Sequence, residues 1–282
     1  MNGNDTDQGI SLKEQVAIVT GGGRGIGRAI VLALAKAGAA VAVVARTEEQ
    51  LAETVDLTKG TGGHAVAFPA DVTDRQAVEH VVAQVERQMG FVDLLVANAG
   101  LGGPAAPLWE VEPDEWWRCI DVNLRGPFLC ARTVVPGMIA RHRGRIVITA
   151  SGSGLKPGPY ASAYVVSKCA VIRLTENLAA ETREHGISAF AITPGFVRTA
   201  MTEAAAESPE DEKYFGGFFR SRLSEGSDVP PERAAQLVAF LASGKADVLS
   251  GRFISVKDDL SEMLSRAQEI QENELYTMRL NK

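Results

Sequence analysis

The chain alternates short apolar runs with longer segments of helical spacing, and this alternation constrains its fold more than any other feature. Runs rich in β-branched and aliphatic residues lie at 16–20, 41–45, 64–68, 93–97, 145–149, 187–193 and 252–256. Helical patterns lie at 26–37, 48–58, 74–89, 113–141 and 161–185, with a break in the fourth near 123–127. Continuous apolar strands that alternate with helices are typical of a parallel sheet covered on both faces. The order predicts a doubly wound α/β fold with a mostly parallel seven-stranded sheet in a single domain.

Charge and composition exclude several classes of function. The 35 acidic side chains outnumber the 29 basic ones, so a broad surface for nucleic acid is not expected. No apolar run approaches the roughly 20 residues of a membrane span, and residues 1–15 lack the pattern of a secretory signal. The cysteines are odd in number and widely separated, which fits neither a zinc site nor a disulfide framework. We therefore expect a cytoplasmic protein that binds no metal, nucleic acid or membrane.

A glycine-rich turn joins the first predicted strand to the first predicted helix. It runs Thr20-Gly21-Gly22-Gly23-Arg24-Gly25-Ile26-Gly27. Such a junction presents free backbone N–H groups and the positive end of a helix dipole, which suits a pyrophosphate. Gly21 permits the turn, Gly25 allows close backbone approach, and Gly27 lets the helix pack against the strand. The loop predicts a site for a dinucleotide or a similar anion, with a plain surface turn as the alternative.

The end of the second predicted strand bears on the choice between the two nicotinamide dinucleotides. An NAD site typically has an acidic residue there, on the ribose 2′-hydroxyl. This chain has Ala45-Arg46-Thr47 instead. Arg46 and Arg24 together offer two guanidinium groups to a 2′-phosphate. We predict that NADP(H) is favoured over NAD(H), the alternative being that both arginines are merely solvated.

Three residues after the fifth predicted strand have the chemistry of proton transfer. Ser151 follows that strand directly, and Tyr164 and Lys168 are four residues apart on a predicted helix face. A lysine cation beside a phenol favours the phenolate, and such a phenol can exchange a proton with a carbonyl or alcohol oxygen. From the spacing alone, a catalytic role for Tyr164 and Lys168 is no better supported than the alternative that they are only neighbours on the surface.

Five motifs in order resemble those of the short-chain dehydrogenase/reductase family, over about residues 12–256. They are the glycine loop, Asn98-Ala99-Gly100 after the fourth strand, Asn123, the set Ser151, Tyr164 and Lys168, and Pro194-Gly195-x-Val197-x-Thr199 after the sixth strand. The resemblance implies a Rossmann-like dinucleotide-binding domain. It also implies that Tyr164 is the general acid/base, that Lys168 binds the nicotinamide ribose and lowers the pKa of Tyr164, and that Ser151 orients the substrate oxygen.

The resemblance assigns further residues. Asn123 is expected to hold a proton-relaying water, and Asn98 to stabilise the central sheet with Ala99 and Gly100 near the cofactor. The residues expected to contact the cofactor are Gly21, Gly23, Arg24, Gly25, Ile26, Gly27, Arg46, Thr47, Asp71, Val72, Asn98, Ala99, Gly100, Tyr164, Lys168, Pro194, Gly195, Val197 and Thr199. Asp71 and Val72 are the pair expected at the adenine, and Gly195, Val197 and Thr199 are expected at the nicotinamide end.

Three segments are not explained by the motifs alone. Residues 1–11 are predicted to be a polar tail, and residues 196–229 a lid that shapes an apolar substrate pocket, with a disordered acidic loop as the alternative for 203–213 only. Residues 257–282 depart from the family's short ending. Their apolar residues have helical spacing after Asp258 or Asp259, either of which can cap a helix. We predict a helical extension there that docks on its own subunit or on a neighbour.

We predict an NADP(H)-dependent oxidoreductase that transfers a hydride between nicotinamide and a carbonyl or secondary alcohol. The alternatives are an NAD(H)-dependent alcohol dehydrogenase of the same family, a non-catalytic dinucleotide sensor, and a group-transfer enzyme such as a methyltransferase. The last two leave Asn123, Tyr164 and Lys168 without a task. In the family, the helices matching residues 113–141 and 161–185 pair across a two-fold axis, so the resemblance implies a homodimer at least, with a homotetramer favoured.

Overall fold

A computed structural model describes residues 9–280 of the protein. Residues 1–8, most of the expected polar tail, and residues 281–282 of the extension lie outside the described residues. The strands are Val16–Thr20 (β1), Ala40–Ala45 (β2), His64–Pro69 (β3), Val92–Ala97 (β4), Gly144–Thr149 (β5), Ile187–Thr193 (β6) and Phe253–Ser255 (β7). The helices are Gly25–Lys36 (α1), Glu48–Gly60 (α2), Arg75–Met89 (α3), Pro113–Ile120 (α4), Gly126–Ala140 (α5), Ser162–Thr182 (α6), Ala200–Glu207 (α7), Pro209–Phe215 (α8), Phe218–Ser224 (α9), Pro231–Ala242 (α10), Leu260–Ser265 (α11) and Ala267–Glu272 (α12).

Within residues 9–280, the seven strands form one parallel sheet in the order β3-β2-β1-β4-β5-β6-β7. The predicted doubly wound fold is therefore confirmed. The chain reverses its winding direction between β1 and β4, and ligands of such sheets bind outside the carboxyl ends of the strands at this switch point. The glycine loop, which follows β1, lies at that point.

Each face of the sheet is covered by its own hydrophobic layer. Side chains of α1, α2 and α10 pack on one face, and side chains of α3, α5 and α6 pack on the other. The sequence of β1 is apolar except for its last residue, because all five of its residues are buried. None of the helices in this part of the chain is both long enough and apolar enough to cross a membrane.

The helix expected at 113–141 is interrupted where the sequence predicts a break. A π-helical turn, Asp121–Arg125, separates α4 from α5. Pro127 stands near the start of α5, where its missing N–H is tolerated. The turn places Asn123 inside the protein with only 1% of its surface exposed.

The segment after β6 is helical, including the residues for which a disordered acidic loop was the alternative. Residues 203–213 fall almost entirely within α7 and α8. The Thr199 side chain caps α7 in a reciprocal pair with Thr202. Asp211 is buried and accepts hydrogen bonds from the backbone N–H groups of Phe219 and Arg220, both at 3.0 Å. These local contacts order a segment whose acidic composition alone suggested disorder.

The C-terminal extension packs against the subunit to which it belongs. Asp259 caps α11 by accepting hydrogen bonds from the N–H groups of residues 261 and 262. Met263 and Ile270 join the hydrophobic layer of α1 and α10, whereas Met278 packs against the opposite layer. Between them, the carbonyl of Tyr276 accepts a hydrogen bond of 2.9 Å from the N–H of Phe253 in β7. The extension thus crosses the outer edge of the sheet from one face to the other.

We expect Ile270→Ala to lower the free energy of unfolding by about 2–5 kcal/mol, because it leaves a cavity at a fully buried position. The neighbouring Gln268→Ala removes an exposed side chain of the same helix and should change the free energy by about 0.5 kcal/mol or less. Urea unfolding of the two variants measures the difference. Equal midpoints would show that α12 is not part of the cooperative core.

Candidate active site

The glycine loop has the backbone conformation and the crowding that its sequence suggests. Gly21 and Gly25 have φ values of +65° and +54°, a region that favours glycine. A Cβ atom on Gly27 would lie 2.1 Å from the carbonyl oxygen of Gly21. Within residues 9–280, the N–H groups of Gly25, Ile26 and Gly27 have no hydrogen-bond acceptor. The loop therefore presents the unsatisfied donors of a helix start, which is the arrangement that binds a pyrophosphate.

Arg28 and Thr54 hold this loop in place, and the sequence analysis did not identify either. The Arg28 guanidinium donates to the carbonyl of Gly23 through Nε at 3.1 Å and Nη2 at 2.6 Å, and it pairs with Glu53. The Thr54 hydroxyl donates to the same carbonyl at 3.1 Å. Glu53 and Thr54 lie on α2, and Arg28 lies on α1. Their contact could be predicted from the sequence only if the two helices were already known to be neighbours.

The ends of β2 and β3 meet beside the glycine loop. The guanidinium of Arg46 lies 3.8 Å from the carboxylate of Asp71, with both side chains substantially exposed. Asp71 also accepts hydrogen bonds from the N–H and the hydroxyl of Thr73 at 2.9 and 2.8 Å. Although burial raises the pKa of Asp71, the bonds from Thr73 and the charge of Arg46 outweigh it and hold the pKa below its usual range. The carboxylate is therefore charged and turned toward the end of β2.

Three further residues expected at the cofactor lie around these strand ends. Arg24 is exposed at the start of α1, where no side chain caps the helix. Thr47 occupies the equivalent position before α2, likewise without a capping hydrogen bond from its side chain. Val72 is buried, and a Cβ atom on Gly126 would lie 2.8 Å from its methyl group. Of these three residues, only Arg24 carries a charge that can face a bound anion.

Asn98 ties together the ends of three neighbouring strands. Its Nδ2 donates to the carbonyl of Thr20 at 3.1 Å, and its Oδ1 accepts from the hydroxyl of Thr149 at 3.3 Å. The Thr20 hydroxyl in turn accepts from the N–H groups of Asn98 and Ala99 at 3.0 and 3.1 Å. These bonds link β1, β4 and β5 at their carboxyl ends, the position expected from the resemblance.

Asn123 is held rigidly beside the same strand ends. Its Oδ1 accepts from the N–H of Leu101 at 2.7 Å, and its Nδ2 donates to the carbonyl of Leu101 at 2.9 Å and the hydroxyl of Ser167 at 3.0 Å. The thiol of Cys119 lies 3.3 Å from the same nitrogen. A Cβ atom on Gly100 would lie 3.3 Å from the Asn123 oxygen and 3.7 Å from Nζ of Lys168. Gly100, Asn123 and Lys168 are thus immediate neighbours.

Tyr164 and Lys168 lie on α6 facing the end of β5. Lys168 is buried, and its Nζ donates to the carbonyl of Thr149 at 2.8 Å. The same nitrogen lies 5.6 Å from the centre of the Tyr164 ring. Burial lowers the pKa of Lys168 to about 8, because a cation without solvent is costly. The lysine is therefore close to the ring, but its direct partner is a backbone oxygen.

The phenol titrates in the direction opposite to the sequence-based expectation. Burial raises the pKa of Tyr164 above its ordinary value, and hydrogen bonding with Ser151 opposes this only in part. The hydrogen bond that the Lys168 ammonium group donates goes to the carbonyl of Thr149. Ser151 accepts from the N–H of Ser153 at 3.2 Å, which leaves its hydroxyl hydrogen available to another oxygen.

The segment after β6 lies beside the glycine loop. Gly195 has a φ of +76°, Val197 is buried, and Thr199 begins α7. A Cβ atom on Gly25 would lie 3.4 Å from the Thr199 methyl group, so this segment faces the glycine loop. Pro194, which precedes Gly195, follows the last residue of β6.

Helices α7 and α8 contact the loops after β4 and before α6. The rings of Tyr160 and Tyr214 are stacked with their centres 4.9 Å apart. A Cβ atom on Gly102 would lie 3.5 Å from Met201 of α7. Aromatic and aliphatic side chains of residues 196–229 therefore contact the loops that follow β4 and precede α6.

Comparison with known proteins identifies the family. The model of the short chain dehydrogenase family matches residues 15–210. The chain belongs to the short-chain dehydrogenase/reductase family. Its relatives include a short chain dehydrogenase of Pseudocercospora fijiensis (strain CIRAD86), 36% identical over 264 residues that cover 91% of this chain and 84% of the relative. The family resemblance, the fold and the enzyme class expected from the sequence are confirmed: this is an oxidoreductase that acts on alcohols or carbonyls with NAD(P).

Solved structures of family members include both dinucleotides. A protein of Beutenbergia cavernae solved with NADP at low occupancy is 35% identical, with a TM-score of 0.77 over 88% of this chain and 96% of its own. An NAD⁺-bound xylitol dehydrogenase is 30% identical, with a TM-score of 0.79 over 86% of this chain and 97% of its own. The family fold is therefore compatible with either coenzyme.

Proposed function

We propose that this short-chain dehydrogenase is an NADP(H)-dependent oxidoreductase of carbonyls and secondary alcohols, with Tyr164 as its general acid/base. The observation that carries the proposal is the convergence of Ser151, Tyr164, Lys168 and Asn123 at the carboxyl ends of β4 and β5, beside a glycine loop with free N–H groups. The crowding at Gly27 and the positive φ values of Gly21 and Gly25 fit a bound pyrophosphate. When bound, the nicotinamide supplies or accepts the hydride.

The side chains of this site then have distinct tasks. The hydroxyl of Ser151 holds the substrate oxygen, and the Tyr164 hydroxyl gives a proton to that oxygen or takes one from it. A high pKa keeps the phenol protonated at neutral pH, which suits donation to a carbonyl in the reductive direction. Lys168 is proposed to bind the nicotinamide ribose, and Asn123 to hold the water through which the proton is replaced.

The preference for NADP(H) rests on charge at the end of β2. Ala45 offers no carboxylate to a ribose 2′-hydroxyl, and Arg46 follows it. The ion pair of Arg46 with Asp71 is long and exposed, so it holds the guanidinium only weakly. Arg24, at the start of α1, supplies a second cation. A 2′-phosphate fits two guanidinium groups better than a neutral hydroxyl does.

We expect Arg46→Ala to weaken NADPH binding roughly ten- to hundredfold and to leave NADH binding almost unchanged, because a charged contact contributes about 1.5–3 kcal/mol. Ala45→Asp should shift the preference further toward NADH by placing an anion near the phosphate. Calorimetric titration measures both affinities, with Arg75→Ala on α3 as a control for the loss of an exposed arginine. Tighter binding of NADH than NADPH by the wild type would refute this proposal.

The lid supports a substrate with an apolar body. Met201, Tyr160 and Tyr214 offer aliphatic and aromatic surface near the catalytic residues. A panel of ketones and secondary alcohols, assayed by the absorbance of the reduced nicotinamide with both coenzymes, tests the proposed reaction. Turnover that requires neither coenzyme would contradict it.

We also propose assembly through the helices beside the active site. Trp117 of α4, Phe128 of α5 and Val166 of α6 are 59%, 46% and 47% exposed in the single chain. Exposed apolar residues on adjacent helices are typical of a subunit contact. Light scattering measures the oligomeric state, and a monomer at micromolar concentration would exclude this contact.

A further inference from the structure

A pocket lies at the edge of the sheet, at the strand ends opposite those that form the candidate active site. It has a volume of about 320 Å³ and lies between α6, the residues that precede β7 and the C-terminal extension. The charged residues in its wall are Glu176, Arg183, Arg252, Glu274 and Arg279. Arg183 follows α6 and Arg252 precedes β7, so both stand at the amino ends of β6 and β7. The 15 residues between Lys168 and Arg183 correspond to roughly 22 Å of helix, which separates the pocket from the catalytic lysine.

The two carboxylates of the pocket already have cationic partners. Arg279 lies 3.0 Å from the carboxylate of Glu176 and 2.5 Å from that of Glu274. Arg173 also pairs with Glu176, at 2.5 Å. In the described part of the chain, Arg183 and Arg252 have no ion pair. The pocket wall therefore has three guanidinium groups and two carboxylates, and two of the three guanidinium groups have no ion pair within residues 9–280.

Arg252 has a buried donor without an acceptor. Its Nη2 donates to the carbonyl of Ile270 at 3.3 Å, but its Nε is buried and has no hydrogen-bond partner within residues 9–280. Burial, followed by the positive charges of Arg183 and Arg279, lowers the pKa of Arg252. A cation close to other cations is destabilised, and Glu176 and Glu274 offset this only in part, since the pKa of Arg252 is lowered overall. An anion in the pocket would relieve the repulsion between the arginines.

We propose that this pocket binds a small molecule through a phosphate group held between Arg183 and Arg252. A phosphate has several acceptor oxygens and can bond guanidinium groups from two elements at once, as the forked donors of arginine require. The volume exceeds that of the phosphate group and leaves room for a small organic part. Because one wall of the pocket is the C-terminal extension, the bound anion also fastens residues 274–279 to α6 and β7.

The proposal is tested by calorimetric titration of inorganic phosphate and of glycerol 3-phosphate at constant ionic strength. We expect saturable binding to the wild type, and binding roughly ten- to hundredfold weaker in Arg183→Gln and Arg252→Gln. Arg87→Gln removes an exposed arginine of α3 and should bind like the wild type. Phosphate should also raise the Tm of the wild type more than that of Arg183→Gln.

Two controls separate this pocket from the coenzyme site. Arg24→Ala and Arg46→Ala should leave phosphate binding unchanged, and a loss of binding in these variants instead would assign the phosphate to the glycine loop and overturn the proposal. Arg183 is exposed at the end of α6, so its variant remains informative if Arg252→Gln does not fold. The absence of saturable binding at millimolar phosphate, or equal affinity in the wild type and Arg183→Gln, would also refute the proposal.

Discussion

Tyr164→Phe is expected to reduce kcat by roughly 10²–10⁴-fold while coenzyme binding stays nearly unchanged. The substitution removes one hydroxyl from a half-buried ring and keeps the ring's volume, so the fold and the glycine loop should be unaffected. Without this hydroxyl, the proposed site has no group next to Ser151 that can give a proton to the substrate oxygen. Steady-state kinetics on an active substrate, together with titration of NADPH, separates the chemical step from binding.

Tyr160→Phe is the matched control for that variant. Tyr160 lies four residues earlier and stacks on Tyr214 of the lid, and phenylalanine preserves the stacked ring. We expect this control to change KM more than kcat, because Tyr160 is proposed to contact the body of the substrate. If Tyr164→Phe retained a tenth of the wild-type kcat, the assignment of Tyr164 as general acid/base would be wrong.

Lys168→Met is expected to abolish turnover and, in the absence of coenzyme, to stabilise the protein by about 3 kcal/mol at pH 7. Burial lowers the pKa of Lys168 to about 8, compared with 10.5 for a solvated lysine. At neutral pH this lysine is mostly charged in both states. In the folded protein the cation is buried, which is unfavourable, whereas in the unfolded chain it is solvated. Methionine has a similar volume but no charge. The substitution therefore removes the free-energy cost of burying the cation, and the function of the lysine is lost with it.

The pH dependence of this stabilisation has a definite sign. Between pH 8 and 10.5 the unfolded chain binds more protons at this lysine than the folded protein does, so the wild type gains stability as pH rises through this window. The advantage of Lys168→Met is greatest at pH 7 and should shrink above pH 8. Urea unfolding across this range measures it, with Lys156→Met on an exposed lysine as the control. Identical behaviour of the two variants would show that burial of Lys168 is not costly.

Tyr164 shows which property of the candidate site could not be predicted from the sequence. The four-residue spacing predicted that Tyr164 and Lys168 share a face of a helix, and the 5.6 Å between Nζ and the ring agrees. The resemblance implied a lowered pKa for the phenol, whereas burial raises it in the folded chain. The ammonium group of Lys168 donates its hydrogen bond to the carbonyl of Thr149, which is 19 residues away in the chain. No local pattern contains that information.

The sequence by itself determined the doubly wound fold, the break near Asn123 and a helical extension capped by Asp258 or Asp259, of which the structure selects Asp259. These features follow from local physics: apolar periodicity separates strands from helices, proline restricts a helix interior, and an aspartate satisfies the free N–H groups of a helix start. The glycine loop belongs with them, because the conformations of Gly21 and Gly25 are ones that other residues rarely adopt.

Only the tertiary structure decided which groups become partners across the ends of the strands and along the edge of the sheet. Three sets of contacts join segments that are distant in the chain. Arg28 and Thr54 donate hydrogen bonds to Gly23, Asn123 is bonded to Leu101 and Ser167, and the extension is bonded to β7. Their partners depend on the order of the strands and on the packing of helices across them. Hydrogen bonds and charges act over a few ångströms, so their strength is set by what folding brings together and not by spacing along the chain.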